Sequence, residues 1–414
     1  MAANIQELDL PDAATMASVA RDIGLELIKR DQIGRGVPLT LAGGLGGLSI
    51  LYSSLISVDD DAGTFRQEAR RCLHEFQARL PQLTSTKCGL YNGLAGMAWA
   101  IQYSATRLAE PEFVDQDLSD LFEVIEDFLN LDEPLEYDLI GGIVGIGMFA
   151  LTLQSGWRER LIKKVLERLE ASAISVEHGV AWQTPSFRNA KPADPTHAQS
   201  PEFNLGIAHG VPGVVNFLAQ CSLREVGGEH ARGLLQLATE WLCRQALRSP
   251  GQSCFGYVAG SSTPSRAAWC YGDPGIAVAL VNASSALGSS AINDHALSVV
   301  RRSAARNMVD SGVVDTGYCH GTAGLAHLLR FLYERTGVTE ARHAYQYWLA
   351  QTVRLRQPGE GICGYRQWVV EPEHSLFADF DYLTGVIGIA LVFLDEACGP
   401  SDWAYPFIGF RSRR

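Results

Sequence analysis

Seven times along this chain a glycine pair spaced G-x-x-G is followed at once by an aliphatic residue or Met. The segments are LAGGLGGL at 41–48, LYNGLAGM at 90–97, LIGGIVGI at 139–146, IAHGVPGV at 207–214, WCYGDPGI at 269–276, YCHGTAGL at 318–325 and YLTGVIGI at 382–389. Taking the first glycine of each as position zero gives Gly44, Gly93, Gly142, Gly210, Gly272, Gly321 and Gly385, at intervals of 49, 49, 68, 62, 49 and 64 residues. Position +3 is always glycine, and position −3 is always large and apolar. Four slots held across seven copies define an internal repeat, which limits the possible architectures more than any local pattern does.

Each glycine pair opens a strongly apolar stretch with helical spacing, as in Leu325, Leu328, Leu329 and Leu332. Between these lie amphipathic segments. In 118–129, for example, Leu118, Leu121, Phe122, Ile125, Phe128 and Leu129 form one stripe and acids occupy the other face. Residues 64–80, 157–170, 231–247, 293–308 and 339–355 read the same way, and almost nothing alternates like a strand. Seven hairpins, each with one greasy inner and one amphipathic outer helix, predict an all-α fold. The expected form is an α/α toroid of about fourteen helices in a single domain over 1–414. An open solenoid should have polar end repeats, and here the first and last copies are as apolar as the rest. Glycine at zero is expected to allow unusual backbone angles, and glycine at +3 to let inner helices approach closely. The stretch 176–203 is the longest helix-poor segment and is expected to loop over the mouth of the ring.

Composition then narrows the partners. The 414 residues are 47% hydrophobic and 19% charged, enough for a large core. A formal charge of −12 argues against a nucleic-acid binder, which needs a basic face. The leading Met predicts a complete gene product, and Glu7, Asp9, Asp12, Arg21 and Asp22 break up any secretion signal. No apolar run approaches the roughly 20 residues of a membrane span. Nine scattered cysteines predict reduced thiols in a cytoplasmic protein.

In a closed ring, equivalent slots face one central space at one end, so function should lie where the copies differ. Slot −1 holds Gly43, Asn92, Gly141, His209, Tyr271, His320 and Thr384, and slot −2 holds Ala42, Tyr91, Ile140, Ala208, Cys270, Cys319 and Leu383. Cys270, Cys319 and His320 form an S₂N set suited to zinc. Three protein ligands and one open position describe a catalytic rather than a structural site. His209 is either a fourth ligand or a nearby acid/base. Cys72, Cys88, Cys221, Cys243 and Cys398 read as small buried hydrophobes, and His327 as packing. Asp381 reads as a helix cap, and Asp138 and Asp273 read equally as caps or as site residues.

The strings SRAAWCYGDPG (265–275), YCHGTAG (318–324) and NLGIAHGVPG (204–213) resemble the lanthipeptide (lantibiotic) synthetase cyclases, the LanC family, over essentially the whole chain. Tyrosine after Cys270 resembles the stand-alone bacterial cyclases, whereas the eukaryotic LanC-like relatives usually carry histidine there. The resemblance implies a cytoplasmic zinc enzyme with one Zn²⁺ per chain. It would add cysteine thiols of a dehydrated precursor peptide to dehydroalanine or dehydrobutyrine, forming lanthionine and methyllanthionine rings. By motif match Cys270, Cys319 and His320 are the metal ligands, His209 is the acid/base, and Asp138, Arg266 and Tyr271 are the remaining catalytic residues. The family also implies a dehydratase and an ABC exporter as partners, which would bring the protein to the inner face of the membrane. No nucleic acid is implied, and a monomer is expected.

The chemistry agrees with the residues. A free thiol titrates near 8.5, and a metal lowers it toward neutrality. Addition to the alkene leaves an enolate, which a positioned His can protonate at Cα, while Arg266 or Tyr271 could stabilise its oxygen. Rival readings are a protein-prenyltransferase-type zinc enzyme, which the two-cysteine set disfavours, a glutathione-adding LanC-like protein, and a non-catalytic peptide scaffold.

Overall fold

The computed structural model describes residues 10–59, 63–84, 87–115, 117–154, 156–184, 202–247, 252–368 and 375–409. In chain order its helices are α1 (Ala13–Lys29), α2 (Leu45–Leu55), α3 (Thr64–Arg79), α4 (Leu94–Leu108), α5 (Glu112–Asp115), α6 (Asp117–Leu129), α7 (Ile143–Ala150) and α8 (Trp157–Ser172). There follow α9 (Val211–Leu223), α10 (Gly228–Arg244), α11 (Asp273–Leu287), α12 (Ser290–Ala304), α13 (Thr322–Thr336), α14 (Thr339–Arg354), α15 (Val386–Cys398) and α16 (Tyr405–Ile408). Two small hairpins complete the inventory: β1 (Ile174–Val176) with β2 (Gly179–Ala181), and β3 (Gln367–Trp368) with β4 (Leu376–Phe377). The helix-poor reading of 176–203 therefore begins inside a hairpin, and 185–201 lies outside the described residues.

The zero glycine is the N-cap of all seven inner helices, α2, α4, α7, α9, α11, α13 and α15. These helices are apolar over most of their surface because most of it is buried; all eleven residues of α2 are buried, while α4 exposes only Thr106 and Arg107 near its end. Outer helices bury one stripe only, as α10 does with Ala231, Leu234, Leu235, Ala238, Trp241 and Leu242. Each inner helix packs on the next, and α15 packs back on α2, so the ring closes as an α/α toroid. The outer partner of an inner helix is the one that follows it: α3 covers α2, α6 covers α4, and so on to α14 on α13. The last inner helix has no successor in sequence, and α1 covers it.

The turns before the inner helices are stitched into a belt. The slot −2 residues bond one to the next through the backbone: Ala42 N–H to Tyr91 O (3.0 Å), Tyr91 to Ile140 (2.9 Å), Ala208 to Cys270 (3.4 Å), Cys270 to Cys319 (3.2 Å) and Cys319 to Leu383 (2.8 Å). At the one irregular step, Leu139 N–H reaches Ala208 O at 3.1 Å. Equivalent slots thus share one end of the ring, and seven helix N-termini point there with their partial positive charge.

At position zero the glycines are needed for a different reason than expected. Six of the seven at position zero have ordinary extended angles, such as φ −134° at Gly44, and only Gly272 has a positive φ, 125°. The limit is space. A Cβ on Gly93 would stand 2.5 Å from Lys87 O, and one on Gly388 2.7 Å from Tyr382 O. At Gly96 and Gly324 it would overlap the carbonyl oxygens of Leu90 and Tyr318. The +3 glycine therefore makes room for its own turn. It also allows the expected close approach of neighbouring repeats, since a Cβ on Gly145, Gly275 or Gly388 would stand 2.8, 2.9 or 2.8 Å from Leu90 Cβ, Ile207 Cγ2 or Tyr318 Cβ, respectively. Inside the ring, Trp403–Ile408 fills the centre, bonded to several repeats. Tyr382 Oη donates to Trp403 O (2.7 Å), Asn282 Nδ2 to Ile408 O (3.1 Å), Trp269 Nε1 to Phe407 O (3.2 Å), and Tyr405 Oη to Met148 O.

Candidate metal centre

Cys270 and Cys319 occupy one slot in neighbouring repeats, and the belt bond between their backbones sets their side chains together. With His320 they place three ligand atoms within 4.8 Å of one another, the one such His/Cys/Asp/Glu group among the described residues. Both sulfurs precede a helix N-terminus, which favours thiolate. A hydrogen bond from Cys319 holds Cys270 well below the ordinary thiol range against the effect of burial, helped by His320 and Arg266. Cys319 is pushed the other way, first by that hydrogen bond to Cys270 and then by burial. Burial opposes protonation of His320, but Asp315 and Cys270 outweigh it and push its pKa up to about 9.

The residues fit a bound metal. Both ring nitrogens of His320 are buried without a hydrogen-bond partner, beside two sulfurs. Burying such atoms is costly unless something coordinates them. A Cys₂His donor set with a fourth position open is chemistry that zinc satisfies. The carboxylate of Asp315, its Oδ2 3.5 Å from His320 Nε2, is fixed by the backbone N–H groups of Gly317 (3.2 Å) and Trp368 (3.0 Å). Such outer carboxylates orient ligating imidazoles. Asp315→Asn is expected to weaken metal affinity about tenfold to a hundredfold, read by competition with a chromophoric chelator.

Facing this group is a second polar pair. His209 Nδ1 meets Asp138 Oδ2 at 2.5 Å, and Asp138 Oδ1 accepts the N–H groups of Gly141 (2.8 Å) and Gly142 (2.9 Å). Asp138 is thus both the cap of its turn and the partner of His209. Burial works to lower the His209 pKa, but the hydrogen bond and charge of Asp138, with Cys270 and Glu136, raise it overall. Arg266 Nη2 lies 3.4 Å from Cys270 Sγ. Tyr271 accepts a hydrogen bond from Asn204 Nδ2 (2.8 Å), and its ring centroid lies 6.4 Å from that of His209. The ring therefore brings together all seven residues singled out in the sequence. The carbonyl of His209 is held by Tyr137 Oη (3.2 Å) and Thr184 Oγ1 (3.1 Å).

Three residues were assigned otherwise or overlooked. Asp273 is fully buried and binds the 253–255 segment, accepting from Cys254 N (2.6 Å), Ser253 Oγ (3.0 Å) and Phe255 N (3.1 Å). It is no part of the mouth. Asp315 lay outside the quoted motifs and Asn204 stood at the head of one without a role assigned to it, yet the register would have found both. Slot −6 reads Pro38, Lys87, Glu136, Asn204, Arg266, Asp315 and Asp379, and its fourth to sixth members each support a site side chain. His327 is packing, as expected, wedged against Tyr318 and Trp403 with Asp395 Oδ2 3.4 Å from Nε2.

Fold and site together define an α/α toroid with a thiolate–imidazole centre at the mouth of its ring. Residues 36–403 match the family described as Lanthionine synthetase C-like protein, and the chain belongs to that family. Nisin biosynthesis protein NisC of Lactococcus lactis subsp. lactis is 25% identical over 315 residues, covering 70% of this chain and 72% of that one. Glutathione S-transferase LANCL1 of Danio rerio is 24% identical over 305 residues, covering 73% and 71%. The solved structure of nisin cyclase superposes with a TM-score of 0.74 at 18% identity, over 94% of this chain and 97% of that one, a likeness of fold. Among the described residues no helix is long and apolar enough to cross a membrane.

Proposed function

We propose that this protein is a zinc-dependent lanthipeptide cyclase. It joins cysteine thiols of a precursor peptide to dehydroalanine or dehydrobutyrine and so forms lanthionine and methyllanthionine thioethers. The observation that carries the reading is the convergence of Cys270, Cys319 and His320 opposite the His209–Asp138 pair, in a chain of the LanC-like family.

Cys270, Cys319 and His320 hold the metal, which when bound supplies acidification of the peptide's thiol and a fixed position for its sulfur. Arg266, against the Cys270 sulfur, balances negative charge there. As the sulfur bonds to Cβ of the dehydro residue, the alkene electrons move to Cα and the carbonyl oxygen. The phenol oxygen of Tyr271 already accepts from Asn204, which leaves its own proton to donate to that oxygen. The thiol proton leaves to solvent as the sulfur is acidified, and His209, kept protonated by Asp138, delivers a proton to Cα and is reprotonated from solvent, which completes the addition. The substrate arrives already dehydrated, so a dehydratase acts first and an ABC exporter takes the product. The protein acts as a monomer in the cytoplasm, meeting the membrane only through these partners.

The test is incubation with a dehydrated, cysteine-containing precursor followed by a count of free thiols. Cyclisation consumes thiols at constant mass. Thiols left free while about one zinc per chain is bound would refute the reading. The likeness to LANCL1 gives the assay a second arm: peptide mass gained by exactly one added glutathione per site would favour thiol addition from solution over ring closure.

A further inference from the structure

The mouth carries a second carboxylate-supported group that the mechanism above does not use. Tyr91 occupies slot −2, the slot of Cys270 and Cys319. Its neighbours in the first repeat, Ala42 and Gly43, are the smallest pair in those two slots. Gly43 has a positive φ of 53°, and its Cα leaves the space beside Asp381 open, where a Cβ would be in ordinary contact at 3.8 Å from Oδ2. Through this gap Tyr91 crosses from the second repeat to the seventh, and its phenol donates to Asp381 Oδ1.

Asp381 occupies the same slot as Asp138 and also caps its turn, but it takes the turn amides and the phenol on one oxygen where Asp138 divides its partners between two. Both lie four residues before a zero glycine, and Asp381 Oδ1 accepts the N–H groups of Leu383 (2.8 Å) and Thr384 (2.9 Å). The same turn receives the Cys319 N–H through Leu383 O at 2.8 Å. Around the ring the order is therefore His209 with Asp138 on the Cys270 side and Tyr91 with Asp381 on the Cys319 side, with the metal-ligand group between them. Asp381 is buried, and a carboxylate is expensive to bury for the sake of a cap alone. Tyr91 itself remains half-buried, where phenylalanine would pack equally well if packing were the need.

We propose that Tyr91, oriented by Asp381, contacts the substrate, its phenol oxygen accepting a hydrogen bond from a main-chain N–H of the peptide beside the reacting cysteine. The phenol proton is committed to the carboxylate, so the oxygen offers lone pairs to the mouth. The peptide then lies across the opening between Tyr91 and His209. This rests on the cyclase reading for the identity of the peptide.

Two variants test it. Tyr91→Phe removes only the oxygen. Asp381→Asn keeps the one oxygen, Oδ1, that the phenol and the Leu383 and Thr384 amides share, and so serves as the control in which Tyr91 stays oriented. Loss of one neutral hydrogen bond should raise KM for the dehydrated precursor about fivefold in Tyr91→Phe and leave it near the wild-type value in Asp381→Asn, with kcat and zinc content unchanged in both. The Kd of a competitor peptide with serine in place of its cysteine, measured by calorimetry, should rise by the same factor in Tyr91→Phe. Unchanged KM and Kd in Tyr91→Phe overturn the proposal. So does loss of zinc, which would make the pair a support for Cys319. An inert wild-type protein would sink the cyclase reading instead, and the Kd comparison alone would then decide on Tyr91.

Discussion

If the proposed centre binds zinc, Cys319→Ala should leave a folded ring that no longer retains metal, and thiol consumption should fall sharply. The fold survives because Cys319 serves the belt through its backbone, donating to Leu383 O and accepting from Trp269 N and Cys270 N. Its side chain is half-buried at the mouth rather than locked into the core. The metal is lost because Cys270 and His320 remain as two donors where three were gathered. Spread over four ligands, typical zinc binding energies make each worth on the order of a hundredfold or more in affinity. The control is Cys221→Ala. That thiol is fully buried in α9, and burial pushes its pKa up, out of reach of metal chemistry. It should lose a little stability and keep its zinc. Metal analysis and a denaturant midpoint on both variants separate the cases, and one zinc per chain retained in Cys319→Ala would remove the centre as described.

What made these residues visible beforehand was register rather than motif strength. Seven glycine pairs put Cys270 and Cys319 in one slot before any geometry was known, because a closed ring maps equal sequence positions to equal places. Helix identity was legible for the same reason: inner segments are apolar over most of their surface and outer ones on a single stripe. Less legible was anything that depends on how a turn fills space. The zero glycines looked like conformational devices, whereas their carbonyl neighbours show that they clear room for the chain itself. Asp315 and Asn204 escaped because a carboxylate or amide six residues before a glycine has no meaning until the turn folds it back beside slots −1 and −2. The pairing of Tyr91 with Asp381 spans 290 residues and passes through a gap left by Ala42 and Gly43. Only the closure of the first repeat against the last creates it. The covering of α15 by α1 is the same kind of fact, invisible in a sequence read from one end to the other.

His209→Asn should lower the rate of ring closure by roughly a hundredfold to ten-thousandfold while leaving the metal in place, the range expected when a positioned proton donor is removed. Its pH dependence identifies the donor. An unperturbed histidine titrates near 6.5, and Asp138 raises His209 above that despite burial. The protonated form therefore persists past 6.5, and kcat should fall as pH rises through the raised value. Asp138→Asn keeps an acceptor for the Gly141 and Gly142 amides, so the turn holds, but it removes the charge that sustains the imidazolium. Burial, which lowers the pKa, then dominates, and the alkaline limb of the rate profile should shift to lower pH. The same linkage has a stability counterpart of definite sign. A histidine whose folded pKa is raised contributes stability that is complete below about 6.5 and is lost as pH climbs through the folded value, and Asp138→Asn, by letting burial lower that pKa, should reverse the sign so that stability falls as pH drops below about 6.5. The Asp138→Asn rate profile is the decisive measurement. An alkaline limb that stays in place would mean that some other group delivers the proton to Cα, while a limb displaced toward acid, with zinc content unchanged, assigns the proton to His209 and its tuning to Asp138.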